Sequence, residues 1–522
     1  MDWLSTVTME GIGFLSTLFL FMIGIAVLAT VVLFVIDVSQ TQDAVRRNYP
    51  VIGRFRELFS TLGEFFRQYF FAMDREEMPF NRAERDWVTK SAKGKDNTVA
   101  FGSTKNLNAV ETTIFVNCPF PIQEDEAEPE PRVVIGPHAD VPYETASLYN
   151  ISGMSYGAIS KPAVQALSRG AAKAGCWINT GEGGLSPYHL ESGADVVFQI
   201  GTAKYGVRTQ NGGLDAGKLK ELAMRPEVRM IELKMSQGAK PGKGGILPGV
   251  KVTPDIANVR GIPVGADSIS PNGHPEIDNV VELVDYIDML KEVSGKPVGF
   301  KAVIGAYGWL DTLWNEVAKR GAAHGPDFIT VDSGDGGTGA APMSLMDNVG
   351  LPIRESLPLV IDSLVRAGLR DRVKVVASGK LITPAEVAWA YAAGTDFVVS
   401  ARGFMFALGC IQSLKCNKNT CPTGITTHNP RFQRGLDPAD KAVRVANFVE
   451  KITYGTRLIA HSCGAKSVRG LKRYHCRVVL ENGRSVPFDE LYPNAAPMQP
   501  GDVESVSVAG IEQQARAPQI GV

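Results

Sequence analysis

The clearest pattern near the N-terminus is an unbroken run of apolar side chains. Residues 12–36 (IGFLSTLFLFMIGIAVLATVVLFVI) form 25 positions without a charged side chain. At ~1.5 Å of rise per residue, a helix of this length crosses a ~30 Å hydrocarbon core with some tilt. A cleaved signal peptide is the alternative, but it has a basic start and an apolar stretch of about 7–15 residues. Here the run is longer and follows the acidic Asp2 and Glu10, so it predicts one transmembrane helix.

Basic side chains lie on only one side of this run. Arg46, Arg47, Arg54 and Arg56 follow it, and no Lys or Arg precedes it. Basic flanks stay on the cytoplasmic side of a membrane. We therefore expect a single-pass protein of the inner (cytoplasmic) membrane whose catalytic domain is cytoplasmic.

The chain between this run and residue 147 divides in two by composition. Residues 37–118 predict a juxtamembrane, helical region, in which residues 51–73 mix aromatic side chains with arginine. That stretch fits an amphipathic helix at the membrane interface and equally a helix packed on the catalytic domain. Residues 119–146 begin with PFPIQEDEAEPEP, whose five acids and four prolines predict an exposed surface segment.

From residue 147 to 430, short β-rich apolar runs alternate with helical patterns. Helical periodicity covers 159–174, 311–323, 354–367 and 384–394. The strand candidates are residues 148–152, 176–180, 196–200, 230–235, 298–302, 327–332, 373–377 and 396–400. Eight strands that alternate with helices over about 250 residues predict an α/β fold, the (β/α)8 TIM barrel. A doubly wound sheet is the alternative, but it has one dominant glycine-rich fingerprint after its first strand.

Polar or glycine-rich motifs follow nearly every predicted strand. They are Gly153-Met154-Ser155, residues 180–184 (TGEGG), residues 237–242 (QGAKPG), residues 334–339 (GDGGTG), Ser378-Gly379-Lys380 and Ala401-Arg402-Gly403. Active sites of such barrels lie at the carboxyl ends of the strands, often with a phosphate after strands 7 and 8. Glycine-rich loops expose N–H groups that suit a phosphate. No GxGxxG motif follows a strand, so a dinucleotide-binding domain is not expected.

Net charge and cysteine placement narrow the chemistry further. The 54 basic and 55 acidic residues give a net charge of −1, which argues against a nucleic-acid partner. Three of the seven cysteines, Cys410, Cys416 and Cys421, lie within twelve residues, a spacing that favours iron–sulfur ligation. A [3Fe–4S] cluster fits an odd triplet, and a [4Fe–4S] cluster is the alternative. Zinc with a fourth ligand from Cys463, Cys476 or His428 stays open, as do three unliganded thiols.

A phosphate-bearing cofactor beside an iron–sulfur cluster, without a dinucleotide domain, points to a flavin. Six stretches read ISGMSYG, NTGEGG, QGAKPGKGGILPGVKV, SPNGH, GDGGTGAAP and GCIQSLKCNKNTCPTGITT. In this order, residues 148–430 resemble the FMN-binding synthase domain of glutamate synthase. The resemblance implies an FMN barrel with a [3Fe–4S] cluster held by Cys410, Cys416 and Cys421.

The resemblance also implies a 2-oxoglutarate site. Gln237, Lys240, Arg260 and Ser270 are its substrate-binding residues, and Glu182, Lys240 and Gln237 are its catalytic residues. Lysine and arginine suit the two carboxylates, arginine as a bidentate fork. Glu182, near the flavin, is the candidate general acid for an imine nitrogen. A structural ion pair is the alternative reading of each basic residue.

Flavin contacts are expected on the same strand ends. Lys234 or Lys301 is the candidate for stabilising the reduced flavin at its N1/O2 edge, and four glycines are candidates for the phosphate loops. The implied set is Met154, Ser155, Gln199, Lys234, Lys301, Gly336, Gly337, Gly379, Lys380, Arg402 and Gly403.

Two parts of glutamate synthase have no counterpart in this sequence. We expect no glutaminase domain, hence no glutamine hydrolysis, and no long C-terminal β-helix. Residues 431–522 instead predict a helix, a small hairpin (CRVVLENGRSVPF) and a tail.

The implied reaction is reductive amination. Ammonia adds to 2-oxoglutarate, and FMN hydride reduces the resulting 2-iminoglutarate to L-glutamate, with electrons supplied through the cluster. Because no dinucleotide domain is expected, the electron donor would be a partner such as ferredoxin or a separate NAD(P)H-oxidising subunit. A second partner would supply ammonia where it is not taken up free. The alternatives are an FMN and iron–sulfur oxidoreductase with another substrate or a membrane redox partner, and a non-catalytic subunit of a larger complex.

Overall fold

The computed structural model describes the backbone of residues 2–496, with side chains from residue 8 onward except at residue 64. The predicted C-terminal tail falls largely on residues 497–522, outside the described residues. The chain divides after Ala83 into two compact units.

The N-terminal unit is helical. Its first helix runs from Asp2 to Ser39, longer at both ends than the predicted span. Within Thr8–Ser39, the most apolar window of 18 residues has a mean hydropathy of 3.0, and none of that window is buried. Length and composition alone make this helix able to cross a membrane. Short helices follow at Ala44–Asn48 and Gly53–Phe66, and the second continues into a π-helical turn, Arg67–Phe71.

The second unit is built on eight parallel strands that close into a barrel. The strands are β1 (Tyr149–Ile151), β2 (Ile178–Asn179), β3 (Val196–Ile200), β4 (Val228–Lys234), β5 (Val298–Val303), β6 (Phe328–Asp332), β7 (Lys374–Ser378) and β8 (Phe397–Ser400). Each pairs with its neighbour in chain order, and β8 pairs with β1. The predicted TIM barrel is confirmed, and closure rules out the doubly wound sheet.

Helices surround the barrel between its strands. The main ones are Lys161–Ala174, Ala216–Ala223, Val280–Ser294, Gly308–Arg320, Ile353–Arg366, Pro384–Ala393 and Arg402–Leu408. A further helix, Pro438–Ser462, packs along Lys161–Ala174. Gly170 makes this close approach feasible, because a Cβ there would lie 2.4 Å from Val445 Cβ. Behind them, a C-terminal hairpin (Cys476–Val479 and Ser485–Pro487) joins Thr113–Phe115 in a three-stranded sheet.

Part of the segment predicted to be exposed lies instead in the core. Strands Val133–Ile135 and Tyr143–Thr145 form an antiparallel pair within residues 119–146. Ile135 and Tyr143 are buried in the cluster that fills the barrel, beside Trp177 and Phe397. The first half of this segment is rich in proline and acidic residues, and the prediction of exposure rested on that half. The second half has alternating apolar positions, which are typical of strands.

Candidate active site

A buried ion pair joins the carboxyl ends of β2 and β4. Glu182 lies in a short 3₁₀ turn, Gly181–Gly183, directly after β2, and Lys234 is the last residue of β4. The Lys234 Nζ lies 3.0 Å from Glu182 Oε2 and also donates to Gln237 Oε1. Three residues from separate sequence motifs therefore meet at one point of the barrel mouth.

Two glycines that sequence reasoning missed make room for Glu182. A Cβ at Gly201 would lie 2.6 Å from the Glu182 Cβ, and one at Gly245 would lie 2.4 Å from its Oε1. Both distances are shorter than real contacts allow, so the carboxylate occupies space that any larger residue would take. The signals in the sequence are the Gly directly after β3 and the third Gly of GKGGILPG.

The charges around Glu182 decide its protonation. Burial acts to raise the pKa of this carboxyl, but the nearby charges of Lys234, Lys240 and Arg260 overcome it and hold the pKa below its usual range. Burial lowers the pKa of Lys240 to about 8, with a further push from the like charge of Lys234. The site therefore presents an ionised carboxylate and an ammonium that loses its charge within the physiological to mildly alkaline range.

Arg260 is held in a fixed orientation nearby. It ends the helix Pro254–Arg260, is 4% exposed, and stacks with its guanidinium carbon 5.0 Å from the Tyr205 ring centre. Its Nη1 donates to Ser268 Oγ at 3.0 Å and its Nη2 to the Tyr156 carbonyl at 3.1 Å. Its Nε is buried without a hydrogen-bond partner among the described residues, so one donor remains for an anion.

Ser270 lies next to Gly245, the glycine that leaves room for the Glu182 carboxylate. Its side chain is 5% exposed, and its N–H donates to the Gly245 carbonyl at 3.0 Å. A Cβ at Gly245 would lie 3.6 Å from the Ser270 Oγ. Ser270 and Glu182 therefore flank the same glycine.

The loops after β6, β7 and β8 meet around two cations. Lys380 Nζ lies 2.7 Å from Asp335 Oδ2, and Arg402 donates to the Asp335 carbonyl at 3.4 Å. A Cβ at Gly337 would lie 2.7 Å from Arg402 Nε, and one at Gly379 would lie 2.3 Å from Ser333 Cβ. Gly337 thus brings bare backbone against the Arg402 cation, and Gly379 packs on Ser333 beside Lys380, which leaves N–H groups and cations together, as phosphate sites have them.

The remaining predicted flavin residues divide into two groups. Gly336 and the Met154–Ser155 backbone lie at the mouth, since Cβ atoms at Gly336 and Gly181 would lie 2.8 Å from the Ser333 and Met154 carbonyl groups. Gly403 differs, because its N–H donates to Ser400 Oγ at 3.2 Å. Its lack of a side chain serves packing, since a Cβ would lie 2.9 Å from the Tyr149 hydroxyl.

Lys234 and Lys301, equivalent candidates in the sequence, have different partners. Lys301 on β5 pairs with Asp332 Oδ2 at 3.3 Å, and this carboxylate also accepts from the Gly238 N–H and the Ser378 hydroxyl. Of these two lysines, Lys234 is the one that contacts Glu182.

Glu232 is a buried carboxylate of the barrel that sequence reasoning missed. Glu232 on β4 accepts from Gln199 Nε2 at 2.6 Å, Asn179 Nδ2 at 2.8 Å and Thr330 Oγ1 at 2.5 Å. Asn179 in turn accepts from the Gly181 N–H at 2.9 Å. Glu232 therefore fixes the predicted flavin residue Gln199 and, through Asn179, the turn that carries Glu182.

The three cysteines lie on one irregular loop after the helix Arg402–Leu408. Gln412, Leu414 and Asn419 adopt left-handed conformations, with φ of 56°, 55° and 56°, which cost non-glycine residues about 1–2 kcal/mol each. Such turns aim successive N–H groups at one point, as around many iron–sulfur sites. Burial opposes ionisation of Cys421, but hydrogen bonds from Thr423 and Thr426 lower the pKa of its thiol.

Metal ligation by this loop is not itself visible. Among the residues described, no three or more His, Cys, Asp or Glu side chains are arranged to hold a metal ion. Of the possible fourth zinc donors, His428 is bonded through Nε2 to the Gly157 carbonyl at 2.7 Å, and the Cys463 thiol lies near the thiols of Cys118 and Cys476. Thiolates of a multi-iron cluster stand farther apart than the ligands of one ion.

The cysteine loop is fastened to the loop after β1. Buried Lys251 donates to the Ala158 carbonyl at 2.8 Å and to the Cys416 carbonyl at 3.4 Å. The Ser160 N–H donates to the Ile425 carbonyl at 2.8 Å. The cysteines therefore lie beside the loop that carries Met154 and Ser155, at the mouth of the barrel.

The chain is similar to several known proteins. Residues 106–466 match the conserved region in glutamate synthase. The glutamate synthase large subunit-like protein YerD of Bacillus subtilis (strain 168) is 38% identical over 494 residues, covering 87% of this chain and 93% of that protein. The archaeal glutamate synthase (NADPH) of Methanocaldococcus jannaschii is 36% identical over 325 residues, covering 62% of this chain and 60% of that protein. A solved chimera of (S)-mandelate dehydrogenase is 13% identical with a TM-score of 0.44, covering 76% of this chain and 90% of that chain.

The match to the conserved region covers well over half of the chain, and it coincides with the barrel and the cysteine loop. The chain therefore belongs to the glutamate synthase family, its barrel is the family's FMN-binding synthase domain, and it is a glutamate synthase-like oxidoreductase.

Proposed function

We propose that this chain reduces 2-iminoglutarate, formed from 2-oxoglutarate and ammonia, to L-glutamate. The observation that carries the proposal is the buried group of one carboxylate and three cations, Glu182 with Lys234, Lys240 and Arg260. A dicarboxylate substrate needs two cationic partners, and an imine that accepts hydride needs a nearby anion. This group supplies both within one pocket mouth.

The cations divide between substrate and carboxylate. Among the described residues, the buried Nε of Arg260 has no hydrogen-bond partner and Lys240 forms no ion pair. These two suit the carboxylates of 2-oxoglutarate, with Gln237 and Ser270 as hydrogen-bonding neighbours. Lys234 is already paired with Glu182 and holds it in place.

Glu182 is better suited to receive a proton than to release one at neutral pH. Its lowered pKa keeps it ionised. When ammonia, taken up with one proton as ammonium, condenses with the keto group, the nitrogen loses two protons and the oxygen gains two and leaves as water. Glu182 can accept each proton from the nitrogen and return it to the oxygen, so it ends the step as a carboxylate. The carboxylate then stabilises the positive charge of the protonated imine, which is the form that accepts hydride.

The residues present fit FMN at the strand ends. The Lys380 and Arg402 cations and the bare backbone of Gly336, Gly337 and Gly379 would hold the phosphate. Gln199 and Lys301 would face the flavin, and Lys301 would favour its anionic reduced form. FMN supplies the hydride when bound. The two electrons must come from a donor.

The cysteine loop fits an iron–sulfur cluster by its donor chemistry. Cys410, Cys416 and Cys421 would hold a [3Fe–4S] cluster, with [4Fe–4S] as the alternative, and its neighbours already lower the pKa of Cys421. The loop lies beside the loop after β1, which suits electron transfer to the flavin. Ferredoxin or a separate NAD(P)H-oxidising subunit would reduce the cluster, and a partner enzyme or free ammonia would provide nitrogen.

The apolar helix would anchor the enzyme in the inner membrane with the barrel in the cytoplasm. The arginines that follow the helix support this orientation. The second candidate is an FMN and iron–sulfur oxidoreductase with another substrate or a membrane redox partner. The anchor would hold the barrel close to redox carriers dissolved in the membrane.

The test is reoxidation of the reduced protein. The full chain is purified anaerobically in detergent, its flavin and iron are identified, and the reduced flavin band is followed after addition of 2-oxoglutarate with ammonium. Rapid reoxidation that yields glutamate is expected. The Lys240→Met variant should bind flavin but lose reoxidation, whereas the matched Lys220→Met variant, at an exposed helix position, should behave as the wild type. Loaded protein that is never reoxidised by this pair, but is by quinone analogues, would favour the second candidate.

A further inference from the structure

The helix after the apolar span has one strongly apolar face. Within Gly53–Phe66, positions that recur at helical spacing are apolar, and the same face continues into the π-helical turn. The side chains on this face are Phe55, Leu58, Phe59, Leu62, Phe66, Tyr69 and Phe70. Phe59 is 65% exposed and Phe70 is 68% exposed. An exposed apolar face made of several large adjacent side chains marks a contact with a partner or a membrane.

The opposite face is polar and carries charges of both signs, since Glu57 lies on it with the arginines. Arg56, Ser60 and Arg67 fall on it by the helical repeat. Arginine on the polar side and aromatic residues on the other are the composition of helices that lie in the plane of a membrane surface.

An ion-pair clasp ties this helix to the end of the apolar span. Asp37 is fully buried, and its carboxylate lies 3.0 Å from Arg46 Nη2 and 2.7 Å from Arg54 Nη2. It also accepts from the Val51 N–H at 3.0 Å. Gly53 lies directly against the helix Ala44–Asn48, since a Cβ on Gly53 would lie 3.0 Å from the Arg46 Cα. The start of the amphipathic helix is therefore fixed beside the last turn of the apolar helix.

This position sets the depth of the amphipathic helix. The uncharged run ends at Ile36, so Asp37 falls at the boundary between acyl chains and headgroups. Arg54 is bound directly to Asp37. The helix that contains Arg54 therefore begins at the same depth in the bilayer as Asp37. Two arginines neutralise Asp37, which satisfies the charge at a depth where an unpaired carboxylate is costly.

We propose that residues 53–71 form a second membrane element, which lies in the headgroup layer with its aromatic face on the acyl chains. The proposal rests on the membrane anchor proposed above. The occupant of the apolar face is the lipid of the same leaflet, because the clasp holds that face at the boundary where this lipid begins. Asp37 is the positioning residue of the element.

Brominated lipids test this, because bromine quenches tryptophan fluorescence at short range. The full chain is reconstituted in vesicles of phosphatidylcholine and phosphatidylglycerol, with or without bromine near the top of the acyl chains. The Phe59→Trp variant reports the apolar face, and the Ser60→Trp variant is the matched control on the next position and the polar face. The emission of the native tryptophans is subtracted with the wild type.

We expect bromine to quench the added fluorescence of Phe59→Trp at least about twice as strongly as that of Ser60→Trp. In a background of Asp37→Asn, the difference between the two faces should shrink, because the clasp no longer fixes the helix. Equal quenching of the two variants in membrane-bound protein overturns the inference, as does protection of the Phe59→Trp fluorescence by self-association or by packing on the barrel. Failure of the wild type to remain with vesicles after a high-salt wash would instead overturn the anchor, which separates the two proposals.

Discussion

The pKa of Lys240 gives the proposed substrate site a defined pH dependence. Burial is the main cause that lowers this pKa to about 8, and the charge of Lys234 lowers it further, while Glu182 opposes both. A group with this pKa is about 90% protonated at pH 7 and about 10% protonated at pH 9. If the ammonium binds a carboxylate of 2-oxoglutarate, affinity is full below pH 8 and falls as pH rises, approaching about tenfold per unit.

Substitution of Glu182 sharpens the test, because it removes the one neighbour that raises the Lys240 pKa. In Glu182→Gln, the midpoint of the affinity profile should move down by about one unit, since a close opposite charge shifts a pKa by about 1–3 units. That shift corresponds to about 1 kcal/mol of binding free energy at pH 8 and approaches about 1.4 kcal/mol at higher pH. The dissociation constant of 2-oxoglutarate is measured by calorimetry on the oxidised protein between pH 6 and 9.5.

The control retains the charge and removes its titration. Lys240→Arg should bind 2-oxoglutarate with a flat profile across this range, because guanidinium does not lose its proton there. A wild-type profile that is also flat would refute the role of Lys240. A midpoint that moves upward in Glu182→Gln would refute the electrostatic reasoning even if Lys240 binds the substrate.

Three further substitutions test separate parts of the structure. In Gly245→Ala, the new Cβ would meet Glu182 Oε1 at 2.4 Å, so turnover should fall about 10–100-fold with FMN retained. In Gly170→Ala, the Cβ would meet Val445 at 2.4 Å, and urea denaturation should show a loss of about 1–3 kcal/mol. In Cys421→Ser, iron analysis should show loss of the proposed cluster, while circular dichroism keeps the barrel signal.

One glycine serves as a control for the two steric predictions. A Cβ at Gly435 would meet only the Phe432 carbonyl, at an ordinary 3.5 Å, so Gly435→Ala should leave turnover and stability near the wild-type values. If Gly245→Ala retains full turnover, Glu182 does not need its observed position. If Gly170→Ala is as stable as the control, the two helices can separate at little cost. Full iron content in Cys421→Ser would remove this cysteine from the ligand set.

The sequence by itself determined the barrel and most of the residues at its mouth. The eight strands appear within two residues of their predicted positions, because short apolar runs between amphipathic helices are a local pattern. Motifs such as TGEGG and QGAKPG carried their glycines and charged residues to the strand ends, since every parallel strand of a barrel ends on the same face. Glu182, Lys234 and Gln237 meet there for that reason.

The tertiary structure alone decided which of these residues are partners. Lys234 pairs with Glu182 while Lys301 pairs with Asp332, although both lysines occupy the same kind of position in their strands. Glu232 forms hydrogen bonds with residues up to 98 positions away, and no local pattern reports such contacts. Gly201 and Gly245 are required by the space that Glu182 fills, and Ile135 and Tyr143 of strands 133–135 and 143–145 are buried in one cluster with Trp177 and Phe397. Periodicity encodes which face of an element is apolar, whereas partner choice depends on distances that exist only after the chain closes on itself.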